Sequence, residues 1–467
     1  MKRSKQDKTG KKQAKKSWHG RLEGAPDEQT SELLSSLDVD VALWKYDIAG
    51  SIAHARMLSS EGLISEEEFS KIRKGLEEIS KEIESGDLEL KTELEDIHMV
   101  IESALIEKVG SIGGKLHAGR SRNDQVALDL KLWARDTAKA LIEKLRDLQK
   151  QFVALADKSG KILFPAYTHL QPAQPIAAGH LIMSYVEMLD RDTGRLEDML
   201  KRLDFCPLGS GAVAGTSLPL NREMTAGLTG FSDITRNSID ATSDRDFLVE
   251  LCFACSMLGV HLSRWCEDWI IYSSREFRLV ELDDAYCTSS SMMPQKKNAD
   301  TLELIRGKSA SAIADLVGLL TLMKSLPSGY SRDMQDDKRF VFRTTGAMLK
   351  ILGVAAGVVS TTRLLEPDLN DGFLDATSLA EYLATLGIPF RQAHGIVGKI
   401  VVHAEKKNLA LGDIPKEEME KLCGVPCPDM DKYLGAANVI ASYSPPGSGG
   451  MVQLDLQLEY WKNKLSM

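Results

Sequence analysis

Five segments of the chain carry apolar residues at helical spacing over long stretches. Residues 124–157 set the pattern, with apolar side chains at Val126, Leu130, Trp133, Leu141, Leu145, Leu148, Phe152 and Leu155. Because residues three or four apart share a helix face, this spacing predicts an amphipathic helix. The same pattern predicts helices over 175–203, 243–274, 300–324 and 338–365. All five are far longer than the average helix of about 11–12 residues, and their broad apolar faces predict a bundle.

Shorter elements flank the predicted bundle. Helical spacing recurs over 44–62 and 96–108, and Ser65 followed by Glu68 forms a capping box that opens a further helix. Residues 18–40 predict an irregular lead-in. After residue 367, Gly and Pro break the chain into short helices. Alternating strand patterns are almost absent, so the predicted fold class is mainly α.

Changes in this pattern predict the domain organisation. A glycine-rich break at 110–119 ends the first helical region, and the long helices follow it. We predict a disordered basic arm and three domains. In order, these are the arm at 1–17, an N-terminal helical domain at 18–121, a central long-helix bundle at 122–367 and a small C-terminal helical domain at 368–467.

Composition and charge exclude several classes of function. The chain has 467 residues and a net charge of −9, which argues against general nucleic-acid binding. The basic arm is the exception, and charge runs of this kind are usually solvated and disordered. No apolar stretch follows it, so it is not a secretory signal, and no run of about 18 apolar residues predicts a membrane span. We therefore expect a cytoplasmic protein without membrane or nucleic-acid partners.

The seven cysteines favour reduced thiols over a disulfide framework, because they are spread over a long chain without a secretory signal. Cys252 and Cys255 have C-x-x-C spacing, with His261 and Cys266 downstream, which raises the question of zinc. These residues lie in an apolar helical segment, where cysteine behaves as a small hydrophobe. The segment therefore favours core packing over metal binding.

Short polar motifs lie at the ends of the long predicted helices. Arg120 and Arg122 offer forks suited to carboxylates, and neighbouring Asn123 could bind a ligand or cap the helix. His169 could act as an acid or base, or be a hydrogen-bonded polar residue without a catalytic role. Because helix ends converge in a bundle, the motifs together predict one site. They occupy residues 118–125, 167–172, 206–212, 289–298 and 330–338.

Residues 289–298 read Ser-Ser-Ser-Met-Met-Pro-Gln-Lys-Lys-Asn and predict a loop that presents hydroxyls beside positive charge. Pro294 prevents a helix from running through it. The helix that follows directs free N–H groups and its positive dipole end back at the loop. An anionic substrate fits such a place. A surface loop with solvated lysines is the alternative.

Residues 290–298 resemble the signature loop of the fumarase/aspartase superfamily. Residues 118–126, 168–175 and 330–335 are most similar to the argininosuccinate lyase family within it, and the resemblance extends over nearly the whole chain from Trp18. It implies a three-domain, mainly α fold with a central bundle of five long helices that carries the core of a homotetramer. It also implies active sites shared between subunits. The implied reaction is β-elimination of argininosuccinate to arginine and fumarate, a step of arginine biosynthesis.

The resemblance also implies roles for individual residues. Ser290 matches the general base, His169 its acid–base partner, and Glu303 the acid that orients the histidine. Substrate contacts are implied for Ser36, Asn123, Thr168, Lys296, Asn298, Tyr330, Gln335 and Lys338. No metal, nucleotide or redox cofactor is implied. Ser289 stands where the family usually has Gly, and residues 444–450 also differ from the family form, so they receive no role.

Two alternatives remain at this point. The chain could be another fumarate-releasing lyase of the superfamily, such as adenylosuccinate lyase or aspartase, although residues 330–338 argue against this. It could also be a non-catalytic structural homologue, since lens crystallins are built on this fold. The presence of His169, Ser290 and Lys296 argues against a loss of activity.

Overall fold

A computed structural model describes residues 27–90, 94–369 and 372–467, which are mainly helical. The first helices, α1 to α5, are Glu28–Leu34, Leu37–Asp40, Trp44–Ser60, Glu66–Ser85 and Ile97–Val109. The middle of the chain contains α6 (Arg122–Ser159), β1 (Leu163–Thr168), β2 (Gln171–Ala177), α7 (Ala178–Leu203), β3 (Phe205–Cys206), α8 (Arg222–Thr229), β4 (Asp233–Ile234), α9 (Ser238–Ser243), α10 (Asp246–Tyr272), β5 (Val280–Glu281), β6 (Thr288–Ser289), β7 (Lys297–Asn298), α11 (Asp300–Met323), α12 (Asp337–Thr361) and β8 (Arg363–Leu364). The last helices, α13 to α17, are Ala376–Thr385, Phe390–Lys407, Lys416–Cys423, Ala436–Ser442 and Met451–Lys464.

The five long helices are the five predicted from apolar spacing, with ends that shift by a few residues. They are α6, α7, α10, α11 and α12, and they have 38, 26, 27, 24 and 25 residues. One start was misplaced: α7 begins at Ala178, not at residue 175. Residues 171–177 instead pair with β1 as an antiparallel hairpin. The two prolines of this segment are not typical of a strand, so the strand is recognised only from its pairing with β1.

The N-terminal region is more regular than its sequence indicated. The predicted irregular lead-in contains two helices, α1 and α2. Asp27 caps the start of α1, and its side chain accepts a hydrogen bond from the Thr30 N–H. The Ser65–Glu68 capping box forms in both directions and starts α4 as predicted. The basic arm at 1–17 lies outside the described residues.

Contacts divide the chain into two compact units. The described residues of the first unit are 27–90, 94–138, 198–251 and 317–343, and those of the second are 139–197, 252–316, 344–369 and 372–467. The core of the first unit includes side chains of α3, α4 and α5 that exclude water almost completely: Ala55, Leu58, Ile72, Leu76, Ile97 and Leu105. The domain boundaries predicted from the sequence stay a prediction.

The second unit contains an aromatic core between three long helices. The ring of Phe152 in α6 packs edge-on against Trp265 of α10, with ring centroids 5.5 Å apart. Its centroid lies 5.4 Å from that of Tyr185 in α7. Trp269 packs against Trp265 at 5.3 Å. The hydroxyl of Tyr185 donates to Asp268 at 2.9 Å, which satisfies the polar end of a buried ring. Residues 379–434 form a separate apolar cluster within this unit.

The cysteines of α10 are buried, as the sequence favoured. Burial raises the pKa of Cys252 to about 12, and it raises the pKa values of Cys255 and Cys266 as well. These groups are therefore thiols and not the thiolates that bind zinc. His261 instead faces Asp192, with its Nδ1 2.7 Å from the carboxylate.

Among the described residues, two helical stretches are long and apolar enough to cross a membrane by length and composition. They are Asp246–Tyr272 and Arg332–Thr361, and polar residues interrupt the apolar run in both. The first is 61% buried over its apolar window and the second 44%. The second also contains Asp337 and Lys338, whose charges are paired inside the protein. We interpret both stretches as core helices.

Candidate active site

The signature loop, residues 289–298, is closed at its base by a short antiparallel ladder. Ser289 of β6 lies opposite Lys297 of β7, and the Thr288 hydroxyl donates to Asp300 at the start of α11. Ser289 does not adopt a left-handed backbone conformation, so serine replaces the family's usual glycine without strain. The base of the loop is fixed to a helix, and its tip is exposed.

The hydroxyl of Ser290 is held by the turn of this loop. Its Oγ accepts hydrogen bonds from the backbone N–H groups of Met292, at 3.2 Å, and Met293, at 3.0 Å. N–H groups directed at an oxygen stabilise negative charge on that oxygen. The exposed Lys296 lies in the same turn and adds a positive charge. This arrangement favours a serine alkoxide that can accept a proton.

Thr168 and His169 lie at the tip of the β1–β2 hairpin. Both residues of the turn, His169 and Leu170, have φ of 57°. Two consecutive left-handed residues are the hallmark of a type I′ turn, which matches the twist of a hairpin. The turn leaves the imidazole of His169 exposed, as a residue that acts on a substrate requires.

Within the second unit, the predicted site residues fall into two groups. One group is Thr168 and His169 at the hairpin tip. The other lies on the signature loop or the first turn of α11 and consists of Ser290, Lys296, Asn298 and the exposed Glu303. In the described part of one chain, no hydrogen bond or ion pair joins His169 to Ser290 or Glu303. The expected orientation of His169 by Glu303 therefore does not arise from contacts inside one subunit.

The first unit brings several predicted substrate contacts together. The Ser36 hydroxyl donates to Asp40, and the Asp40 carboxylate lies 3.4 Å from the ammonium group of Lys338. The side-chain amide of Gln335 donates to the Leu34 carbonyl at 3.1 Å. This hydrogen bond holds the segment that carries Gln335 against the backbone beside Ser36. Ser36, Gln335 and Lys338 thus form one polar cluster.

Lys338 is only 3% exposed and is held between two carboxylates. Burial alone would lower its pKa, but Asp337 and Asp40 outweigh burial and raise the pKa. Arg245 contacts the other oxygen of Asp337, and Lys338 and Arg245 both lie close enough to Tyr330 to affect its hydroxyl. Burial nevertheless raises the pKa of Tyr330. The cluster therefore presents a charged lysine beside a neutral phenol.

Asn123 lies in the first turn of α6 in the first unit, and the neighbouring Asp124 anchors a glycine turn. Asn123 donates to the Ala212 carbonyl at 3.0 Å. Asp124 accepts the N–H groups of Gly209, at 3.0 Å, and Gly211, at 2.8 Å, so the predicted glycine turn folds around a carboxylate. Burial raises the pKa of Asp124 to about 6 against the effect of these hydrogen bonds. Among the described residues, no hydrogen bond joins Asn123 to Ser36, Gln335 or Lys338.

A buried cluster formed by Asp47, His98 and Asp129 was not predicted from the sequence. The Nδ1 of His98 lies 3.2 Å from Asp47 and 3.4 Å from Asp129, and all three side chains are buried. Gln125, two residues after Asn123, donates to Asp47. The cluster therefore holds the start of α6, which carries Asn123. His98 and Asp47 each lie among apolar residues of a helix, which indicates that they are buried. Neither position alone indicates which side chain it contacts.

Among the described residues, this cluster is also the group with metal-site geometry, since its potential ligand atoms lie within 4.8 Å of one another. Burial alone would raise the pKa of Asp47, but His98 and the buried Arg120 outweigh it and lower the pKa. Burial and the neighbouring Asp47 raise the pKa of Asp129 well above its usual value. Arg120 favours the charged form of both carboxylates, and we interpret the cluster as a charge network.

A family model described as lyase matches residues 20–314, and a second, described as argininosuccinate lyase C-terminal, matches residues 373–441. The chain is 44% identical over 465 residues to the chloroplastic argininosuccinate lyase of Arabidopsis thaliana, covering 99% of this chain and 90% of that protein. It is 44% identical over 447 residues to the argininosuccinate lyase of Syntrophus aciditrophicus, covering 95% of each. The chain belongs to the argininosuccinate lyase family.

Solved structures share the fold of this chain. An EDDS lyase variant with bound fumarate is 26% identical, with a TM-score of 0.81 over 95% of this chain and 91% of that one. A class II fumarase from Schistosoma mansoni, 17% identical with a TM-score of 0.72 over 89% of this chain and 95% of that one, shows the shared fold. The predicted family, the mainly α fold of the fumarase/aspartase superfamily and the carbon–nitrogen lyase class are confirmed.

Proposed function

We propose that the chain cleaves the carbon–nitrogen bond of argininosuccinate by β-elimination and releases arginine and fumarate. The observation that carries this proposal is the 44% identity to argininosuccinate lyases over nearly the whole chain. The same similarity favours this reaction over those of adenylosuccinate lyase and aspartase, and over a non-catalytic crystallin-like role.

Ser290 is the general base in this proposal. The proton to be removed lies on a carbon next to a carboxylate, so it is very weakly acidic, and its removal creates a second negative charge on the substrate. The two N–H groups that reach Ser290 Oγ support an alkoxide before the reaction. Lys296 and Asn298 lie in the same loop and supply positive charge and an amide donor for the dianion.

His169 is the acid–base partner. When the carbon–nitrogen bond breaks, its electron pair stays on the guanidinium nitrogen of the arginine product, which then needs a proton. An exposed imidazole at a rigid turn can deliver that proton, and Glu303 would orient it. Since His169 does not contact Ser290 or Glu303 in one described chain, this role calls for residues from another subunit.

The remaining predicted residues hold the substrate. Ser36, Gln335 and Lys338 form the polar cluster of the first unit, with Tyr330 beside it. Asn123 lies in the first turn of α6, and Thr168 is the last residue of β1. Hydroxyls, amides and one buried ammonium group suit a substrate that carries both carboxylates and a guanidinium group.

The proposed assembly is a homotetramer with active sites shared between subunits. In the second unit, large apolar side chains are exposed on three long helices: Phe253 and Val260 of α10, Leu304 and Ile313 of α11, and Val354 of α12. Apolar patches on long helices mark interaction surfaces. Packing copies of these helices together would bury the patches and bring the Ser290 loop of one copy to the His169 turn of another.

We further propose that the enzyme acts in the cytoplasm on this small-molecule substrate, without a nucleic-acid or membrane partner. The net charge of −9 argues against a nucleic-acid partner. One relative is named as chloroplastic, so the compartment is a separate question from the reaction. Localisation of a tagged full-length chain would answer it.

The purified full-length chain tests the reaction directly. We expect argininosuccinate to yield equal amounts of arginine and fumarate, with no loss of rate in the presence of a chelator. Adenylosuccinate and aspartate, assayed in parallel, should release little fumarate. Faster turnover of either alternative substrate, or loss of all activity on chelation, would contradict the proposal. Absence of turnover on all three would favour the crystallin-like alternative.

A further inference from the structure

A cavity of about 410 Å³ lies beside the signature loop in the second unit. Its lining includes Gln295, Lys297 and Asn298 of the loop, but neither Ser290 nor Lys296. The cavity therefore shares Asn298 with the proposed active site, but it does not include Ser290 or Lys296.

The charge in this cavity is positive and largely uncompensated. Arg275 and Arg278 line it, and neither has an ion-pair partner within the described residues. Lys297 adds a third cation. The one acid of the lining, Glu281, is already paired with Arg363 at 2.5 Å. An anion that enters the cavity thus meets two guanidinium groups that are not neutralised by the protein.

The backbone at Arg278 is a second, independent observation. Its φ is 50°, in the left-handed region that glycine favours and that other residues rarely adopt. Arginine gains no backbone advantage there, and the conformation directs its side chain to the cavity wall. Residues held in such conformations cluster at ligand sites.

The rest of the lining fits an organic molecule and not only a hydrated ion. Val280, Leu282 and Leu365 supply apolar surface, and Ser273 and Ser274 supply hydroxyls. The volume lies in the range of small-molecule sites. Guanidinium forks match the paired oxygens of carboxylates and phosphates.

We propose that this cavity is a second ligand site, which binds a small organic anion carrying carboxylate or phosphate groups and orders the signature loop. The coupling would run through Lys297, whose ammonium group donates to the Leu282 carbonyl at 2.6 Å and lies 2.5 Å from the Asp284 carboxylate. An anion held by Arg275 and Arg278 adds a further partner for Lys297. Because Lys297 pairs with Ser289, this contact restrains the base of the loop.

Direct binding measurements on the full-length protein test the site. Isothermal titration with inorganic phosphate and, separately, with succinate should detect binding to the unchanged protein and to Lys296→Met. Binding to the double variant Arg275→Gln/Arg278→Gln should be at least tenfold weaker. Arg391→Gln, which removes an exposed arginine outside the cavity lining, is the matched control and should bind normally. The tighter of the two anions identifies the phosphate or carboxylate class.

Equal binding to the double arginine variant would overturn the proposal. Loss of binding in Lys296→Met alone would also overturn it, because the anion would then occupy the catalytic side. Hydrogen exchange on the unchanged protein gives a measurement that requires no variant. Saturating phosphate or succinate should protect peptides that cover residues 273–282 and 288–299, and absence of protection with both would contradict the site. None of these readings depends on turnover, so they are independent of the proposed reaction.

Discussion

Ser290 is the residue on which the proposed chemistry depends. Replacing it with alanine removes the oxygen that accepts the N–H groups of Met292 and Met293. We expect Ser290→Ala to lose most of kcat while directly measured substrate affinity changes little, because the hydroxyl contributes little to ground-state binding. Ser291→Ala, which removes a neighbouring exposed hydroxyl, should stay active. An active Ser290→Ala enzyme would remove this serine from the mechanism.

The two adjacent lysines of the loop should differ strongly. Lys296 is exposed and has no ion-pair partner within the described residues, whereas Lys297 is bound to Leu282 and Asp284. Losing one preorganised electrostatic contact costs roughly 100- to 1000-fold in rate. We therefore expect Lys296→Met to lower kcat by about that factor and also to weaken binding. Lys297→Met should have a much milder effect. Equal losses in both variants would show that the loop responds to net charge and not to one placed ammonium group.

Asp124 gives a prediction about pH and stability. Its folded-state pKa of about 6 lies above the ordinary value of 3.8. The folded state therefore binds this proton more tightly. Its stabilising contribution is fully present below pH 3.8 and is lost as the pH rises through about 6. A shift of about two units corresponds to roughly 2–3 kcal/mol. Asparagine does not titrate, so the free energy of unfolding of Asp124→Asn should fall less between pH 3.8 and about 6 than that of the unchanged protein.

Urea unfolding over that pH range measures the difference between the Asp124→Asn variant and the unchanged protein. The exposed Asp413→Asn variant is a suitable control, because it removes a carboxylate without breaking a buried contact. Parallel curves for Asp124→Asn and the unchanged protein would mean that Asp124 does not titrate in this range.

At the scale of elements, the β1–β2 hairpin is held by an unusual turn. Leu170 is 60% exposed and has φ of 57°, a conformation that costs a non-glycine residue roughly 1–2 kcal/mol. Leu170→Gly should remove this cost and stabilise the hairpin, with His169 kept in place for catalysis. The melting temperature should rise, and kcat should stay within a small factor of its original value.

Leu170→Ala separates the backbone effect from the loss of the leucine side chain. Alanine keeps the unfavourable left-handed conformation, so this variant should not gain stability. A gain of equal size in both variants would assign the effect to the exposed side chain and not to the turn.

At the scale of the whole molecule, the proposed shared sites predict complementation between inactive subunits. His169→Asn and Ser290→Ala should each be nearly inactive alone, because each removes a group needed in every site. Mixed and reassembled, they should recover part of the activity, since some sites then receive an intact His169 from one subunit and an intact Ser290 from another. Each variant reassembled by itself is the control. A fully active monomer, measured by light scattering, would refute the shared site.

The sequence alone determined the long helices and the family. Apolar residues three and four apart define a helix face without reference to any partner, so the five long helices were predicted to within a few residues. The Ser65 capping box was also readable, because both of its hydrogen bonds are local. The signature loop pointed to the superfamily, and the motifs at 118–126, 168–175 and 330–335 pointed to the family, because both are recognised from local residue types and spacing.

Only the tertiary structure decided the contacts between residues far apart in the chain. The β1–β2 hairpin escaped detection because strand pairing depends on a partner segment. Lys338 was predicted as a substrate contact, but its burial between Asp40 and Asp337 depends on segments about 300 residues apart. The Asp47, His98 and Asp129 cluster joins three helices in the same way. Periodicity shows which face of a helix is buried, but the partners of a buried charge are fixed by how the chain packs.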